Sequence, residues 1–170
     1  MPYGDPSDRK TKIGPMARAD LRDALVKQLE ETTSRGGRIA TGGKRPPRKG
    51  YFLEPTIVTD VAPGMSMFEQ ETFGPAAAVV RARNAEEAVA LANDSNFGLG
   101  GNLWTRDIER AKRLAADMET GNVFINGMTA SDPRLPFGGV KRSGHFESQT
   151  PSVRRRVGSP STATTPSQPR

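Results

Sequence analysis

The side chains that do most chemistry near neutral pH are scarce in this sequence: its 170 residues contain no cysteine and one histidine, His145. Without cysteine there is no thiol nucleophile, disulfide or thiolate metal site, and a single imidazole builds no zinc or iron cluster, so no metal is expected. No motif places an acid or a nucleophile beside His145, which reads as an exposed residue at the start of a polar tail. Gly98-Leu99-Gly100-Gly101 lacks the third glycine of a phosphate-binding turn and leads into an extended segment instead of a helix, so it is taken as structural. Arg154-Arg155-Arg156 could bind phosphate only weakly and reads as solvated charge. Two sites remain. Glu71 stands just before Phe73 and a tight Gly74-Pro75 turn, and Ser131-Asp132-Pro133-Arg134 joins a hydroxyl to a nearby cation. Taken alone, Glu71 is a solvated loop acid, Phe73 a core residue, and Ser-Asp-Pro a turn favoured for local backbone reasons.

The elements that would hold these residues follow from apolar spacing. Ala17 to Thr33 carries Leu21, Ala24, Leu25 and Leu29 on one helical face and stops at Gly36-Gly37. Arg38 to Thr41 reads as a short strand, Lys44 to Gly50 as a basic Pro-containing loop, and Tyr51 to Val58 as extended. Ala76 to Ala82 fits a buried strand, after which Asn84 caps a helix running to about Asn93. The turn Asn96 to Gly101 then enters a strand at Asn102 to Thr105, followed by a helix from Asp107 to Met118 and a strand at Val123 to Ile125. From residue 76 the order is β, α, β, α, β with short connections, which predicts an α/β fold with a parallel sheet and flanking helices. With 18 Gly, 14 Pro and only 34% hydrophobic residues, little apolar surface is available for burial, and marginal stability in isolation is expected.

Three segments together resemble the aldehyde dehydrogenase family: Glu69-Gln70-Glu71-Thr72-Phe73-Gly74-Pro75, Asn96-Phe97-Gly98-Leu99, and Pro136-Phe137-Gly138-Gly139-Val140-Lys141-Arg142-Ser143-Gly144. Leu103-Trp104-Thr105-Arg106-Asp107 and Gly121-Asn122-Val123-Phe124-Ile125-Asn126 fall between them in family order, and the resemblance runs from Gly4 to Gly144. Ser131-Asp132-Pro133-Arg134-Leu135 is similar to the succinate-semialdehyde branch. The resemblance implies part of a catalytic domain, over residues 1–147, of an enzyme that oxidises a small aldehyde to a carboxylic acid with NAD or NADP. In that family a cysteine thiolate adds to the aldehyde, hydride passes to the nicotinamide, and a carboxylate-activated water releases the acid. The nucleophile, the general base and the nucleotide-binding glycine turn all lie upstream of the segment that Gly4-Asp5-Pro6 resembles, so no catalytic residue is assigned and inactivity of the chain alone is expected. By resemblance, Glu71 matches the glutamate that hydrogen-bonds the nicotinamide ribose hydroxyls, a role a carboxylate performs by accepting two protons. Phe73 matches the aromatic near the nicotinamide. Ser131 matches a serine that binds the distal carboxylate of the substrate, with the plain turn left open beside it.

After Gly144 the family pattern continues as Gly-Arg-Glu, a helix and a final strand that pairs with a neighbouring subunit. Here the sequence becomes His145-Phe146-Glu147-Ser148, and residues 148–170 are rich in Ser, Thr, Pro and Arg. Such a segment cannot bury enough to order itself and is expected to be a disordered tail. A shifted reading frame or rearranged gene end would explain the break, and the missing strand puts homo-oligomerisation in question. Four arginines of the tail, Arg154, Arg155, Arg156 and Arg170, account for most of the net charge of +6, so a nucleic-acid partner is not expected. No run of apolar residues is long enough to span a membrane and no leader is evident, which makes a cytoplasmic location the expectation. The expected partner is an upstream-encoded half carrying the cysteine; a non-catalytic remnant or interaction module is the alternative.

Overall fold

The structure, a computed structural model, describes residues 1–144 and 161–163. They fall into two compact units, Met1–Arg81 and Ala82–Arg170. The first is built on helix α1 (Ala19–Ser34), strands β1 (Arg38–Thr41) and β2 (Thr56–Val61), the single turn α2 (Ser66–Glu69), and strand β3 (Ala76–Val80). The leucine spacing does place Leu25 and Leu29 in the core, with Leu53, Val58, Val61 and Met67. At its C-terminus α1 is closed by a Schellman pair: Gly37 N–H donates to the Thr32 carbonyl at 3.0 Å and Gly36 N–H to the Thr33 carbonyl at 3.1 Å. Gly36 sits at φ 106°, a conformation glycine adopts without a Cβ clash.

Strand order in this unit is β1-β2-β3, with β1 antiparallel and β3 parallel to β2. Two expectations shift. The extended segment at 51–58 becomes a strand at Thr56–Val61, because Pro55 has no N–H to give to a ladder. Residues 52 and 53 instead bury their side chains ahead of it. The Ala76–Ala82 segment is a strand as far as Val80, but it is the edge of its sheet, and Ala77, Ala78 and Val79 are exposed. Only its end residues, Ala76 and Val80, pack against the core.

Helices α1 and α2 are joined by a buried hydrogen bond, in which the Met67 N–H donates to Thr32 Oγ1 at 3.1 Å while Thr32 is 0% exposed. Thr32→Val keeps the shape and removes the acceptor, leaving that N–H unsatisfied. A loss of about 1–3 kcal/mol is expected in urea unfolding. A midpoint unchanged from wild type would show that the bond contributes nothing net.

The second unit contains α3 (Ala85–Asn93), β4 (Phe97–Gly98), β5 (Gly100–Leu103), α4 (Ile108–Ala116), β6 (Asn122–Ile125), β7 (Val140–Lys141) and β8 (Ser161–Ala163). Both of its helices are capped by side chains: Asn84 Oδ1 accepts from Glu87 N–H at 2.8 Å and Asp107 Oδ1 from Arg110 N–H at 2.9 Å. Ala111 and Ala115, one turn apart on α4, are fully buried and allow it to lie close over β6. Strands β5 and β6 are parallel, as the α/β reading predicts, and β8 lies parallel to β6 on its other side. Apart from β8, the expected tail at 148–170 lies outside the described residues, as does His145.

Candidate functional site

In the first unit, α1 and the loop after α2 enclose a half-open hollow of about 70 Å³ lined by Leu21, Ala24, Leu25, Gln28, Glu71 and Phe73. The loop is shaped by Gly74, whose φ is 129° and where a Cβ would come within 2.7 Å of Leu25 Cδ2 and 2.9 Å of Met16 Cε. With this turn pressed against α1, the Phe73 ring stays out: 62% of the residue is exposed, which excludes the core role that its position beside a tight turn suggested. The Glu71 side chain is exposed, and among the described residues its carboxylate has neither a hydrogen bond nor an ion pair. Its main chain is held instead, since Gln28 Nε2 donates to the Glu71 carbonyl at 3.1 Å and to Gln70 Oε1 at 3.3 Å. An apolar floor, an exposed aromatic face and an unpaired carboxylate at the rim fit one edge of a sugar joined to a flat heterocycle. The volume is too small for a whole dinucleotide.

In the second unit, the second and third motifs are bonded to each other. Strands β4 and β7 pair antiparallel through Phe97↔Lys141 and Gly98↔Val140. Gly98 N–H donates to Ser143 Oγ at 3.0 Å, Arg142 N–H to the Asn96 carbonyl at 2.8 Å, and the buried Asn122 Nδ2 to the Gly138 carbonyl at 3.0 Å. Lys141 Nζ donates to the Asn93 carbonyl at 2.6 Å and pairs with Glu119 at 2.8 Å. The segment 98–101, expected as a turn, instead ends β4 and begins β5, so that strand starts at Gly100 and not at Asn102, because its glycine main chain is taken up in strand pairing.

The Ser131 loop begins beyond β6 at Asn126, which takes a left-handed φ of 54°. Asn126 Oδ1 accepts from Thr105 N–H at 2.9 Å and its Nδ2 donates to the Thr105 carbonyl at 2.8 Å, closing the ends of β5 and β6 together. Farther on, Asp132 Oδ1 accepts from both the N–H and Nε of Arg134 at 2.9 Å, and Asp132 Oδ2 accepts from Nη2 at 2.7 Å. Arg134 is therefore engaged within its own turn. Ser131 is exposed, and its hydroxyl has no partner among the described residues.

The Arg134 side chain, then its N–H, hold the Asp132 carboxyl down at about 2, against an ordinary 3.8. A folded pKa below the unfolded one means that this bond contributes fully above the unfolded value and is lost as pH falls towards 2. Carboxyl NMR titration should place Asp132 near 2, and Arg134→Gln should return it towards 3.8. Titration at the ordinary value in the wild-type chain would mean that the turn is open in solution.

Residues 1–154 match the aldehyde dehydrogenase family. The chain belongs to that family. The match passes Gly144, where the motif resemblance ended. Over 142 residues the chain is 50% identical to succinate-semialdehyde dehydrogenase [NADP(+)] 1 of Mycobacterium tuberculosis, an alignment that covers 84% of this chain and 31% of that protein. It is 49% identical over 141 residues to succinate semialdehyde dehydrogenase [NAD(P)+] Sad of Escherichia coli, covering 83% and 30%. The fold is similar to that of succinic semialdehyde dehydrogenase from Streptococcus pyogenes in complex with NADP+, with TM-score 0.81, 38% identity, and 85% and 32% of the two chains covered. Betaine aldehyde dehydrogenase from Staphylococcus aureus in complex with NAD+ gives TM-score 0.81 at 35% identity, covering 85% and 29%. The chain thus spans about a third of the length of the relatives it matches. No helix among the described residues is long and apolar enough to cross a membrane.

Of the residues singled out in the sequence, Glu71 and Phe73 meet at the rim of one hollow, and Ser131 directly precedes the Asp132–Leu135 turn that holds Arg134. Arg154, Arg155 and Arg156 lie outside the described residues. Gln28 was missed. The signal for it was a polar residue on the apolar face of α1, three positions after Leu25 and seven after Leu21.

Proposed function

We propose that this chain forms the cofactor-facing and substrate-facing part of an NAD(P)-dependent dehydrogenase that oxidises succinate semialdehyde to the carboxylic acid, and that these 170 residues are inactive alone. The observation that carries the reading is the Glu71 carboxylate, unpaired among the described residues, beside the exposed Phe73 ring, on a loop fixed by Gly74 and Gln28. Glu71 would accept the two ribose hydroxyls and so fix the sugar, while Phe73 would pack against the nicotinamide end and exclude water from it. NAD or NADP, when bound, supplies the hydride acceptor. Ser131 would donate its hydroxyl to the distal carboxylate of the substrate, orienting the aldehyde. The pairing of Arg134 with Asp132 leaves this task to a neutral donor.

The thiol that attacks the aldehyde has to come from outside this sequence, which holds no cysteine. An upstream-encoded half would supply it, together with the general base and the nucleotide-binding turn. The exposed apolar edge strand β3 is the kind of surface such a half would cover by strand pairing. The reading is tested by assaying aldehyde-dependent reduction of NAD and NADP by the chain, with and without the protein encoded immediately upstream.

A further inference from the structure

Of the six asparagines in the chain, Asn126 alone is followed by glycine. In such a pair the side-chain amide is most open to attack by the next main-chain nitrogen, because Gly127 has no Cβ to shield that nitrogen. The folded chain holds this reaction off. The Asn126 side chain reaches across to the end of the neighbouring strand, where its Oδ1 accepts from the Thr105 N–H at 2.9 Å and its Nδ2 donates to the Thr105 carbonyl at 2.8 Å. Both atoms of the amide are engaged, and it cannot be turned round, because each would then face its like. The main chain is fixed as well, by the left-handed φ of 54° and by the Asn126 N–H, which donates to the Leu103 carbonyl at 2.8 Å. The residue is nonetheless exposed, so water and hydroxide reach it whenever these bonds open.

We propose that Asn126 is a deamidation site gated by the closure of β5 on β6. When the Thr105 bonds open, the Gly127 nitrogen gives up its proton and attacks Asn126 Cγ. The new N–C bond forms, the Cγ–Nδ2 bond breaks, and ammonia leaves with a proton taken up from solvent in place of the one lost. Water then opens the cyclic imide at either carbonyl, so that asparagine and water become aspartate or isoaspartate and ammonia. The product cannot close as asparagine does. A carboxylate has no N–H for the Thr105 carbonyl and sets a negatively charged oxygen against it, while isoaspartate adds a methylene to the main chain at the end of β6. Each opening that ends in reaction is thereby made permanent at the root of the segment that carries Ser131, whatever that segment binds.

The full 170-residue chain is incubated at mildly alkaline pH with and without urea, and conversion is followed by peptide mass spectrometry. Asn126 is expected to convert ahead of the other five asparagines, and more slowly in buffer than in urea by about tenfold or more, the value of two hydrogen bonds. Thr105→Pro, which removes one of those bonds, should speed conversion in buffer about fivefold. Asn126→Asp carries the product from the start and should exchange its Thr105 N–H faster than wild type, which serves as the test if the Pro variant fails to fold. Equal rates with and without urea, or conversion spread evenly over the asparagines, would overturn the gated site. A folded Thr105→Pro chain that converts no faster than wild type would do the same, as would unchanged Thr105 exchange in Asn126→Asp.

Discussion

The purified chain, given succinate semialdehyde with NAD or NADP, should form no reduced cofactor above the enzyme-free background. The reason lies in the barrier to the first bond. An aldehyde must be converted to an adduct able to release hydride, and the family uses a thiolate because sulfur is nucleophilic near neutral pH and its acyl ester is readily hydrolysed. A serine or threonine would need a base within hydrogen-bonding reach, and Ser131, the hydroxyl nearest the family's substrate loop, has no partner at all among the described residues. The ribose contact proposed for Glu71 would not substitute for bond formation, since binding energy accelerates a reaction only where it is realised in the transition state. A protein that supplies thiol, base and nucleotide turn together should raise the rate by on the order of 10⁶ or more over the uncatalysed reaction. That gain should fall on Glu71→Gln, as a higher KM for the cofactor. Turnover by the chain alone would refute the argument from the missing cysteine, and silence with the upstream protein present would refute the two-part enzyme.

The sequence predicted best where one local signal sufficed. Asn84 heads its helix, Gly36-Gly37 ends another, and the β, α, β, α, β order after residue 76 is present with one added short strand, β4, because caps, glycine stops and 3.6-residue periodicity act over a few neighbours. It misled where the outcome depended on distant chain. Ala76–Val80 has the composition of a buried strand, and an apolar run cannot reveal whether a second layer will cover it. The turn α2, four residues long, leaves no periodic trace, and it forms where Thr32 accepts the Met67 N–H from 35 positions away.

The site was legible to the same degree. Glu71 and Phe73 stand out through the motif, and they meet on one rim because a single residue separates them just ahead of the Gly74-Pro75 turn. The partner of their loop is Gln28, 43 positions from Glu71, hidden in an otherwise apolar helix face. Arg134 shows the same dependence on local geometry: the sequence marks it as a cation near Ser131, and only the structure shows Asp132 taking both arms of its guanidinium within a three-residue span.

Fold and site are most closely tied at Leu25, and Leu25→Ala should cost about 2–5 kcal/mol in chemical unfolding. The side chain is 2% exposed and belongs to the core cluster with Leu29, Leu53, Val58, Val61 and Met67. It also walls the hollow, and the Phe73-Gly74-Pro75 turn rests on its Cδ2. Truncation removes apolar contact area and leaves a void that a packed core refills only in part. In a chain with so little buried apolar surface, such a loss is a large fraction of the total stability. The Glu71 loop should loosen at the same time, because Gly74 loses the surface against which it turns. Ile57→Ala is the matched control, an equal change of class at a site 42% exposed, where a cost under about 1 kcal/mol is expected. Equal losses at the two positions would mean that the cluster around Leu25 does not hold the first unit together. A large loss at Leu25 alone, accompanied by weakened binding of nicotinamide riboside, would locate the stability of this unit and the positioning of its carboxylate in the same side chain.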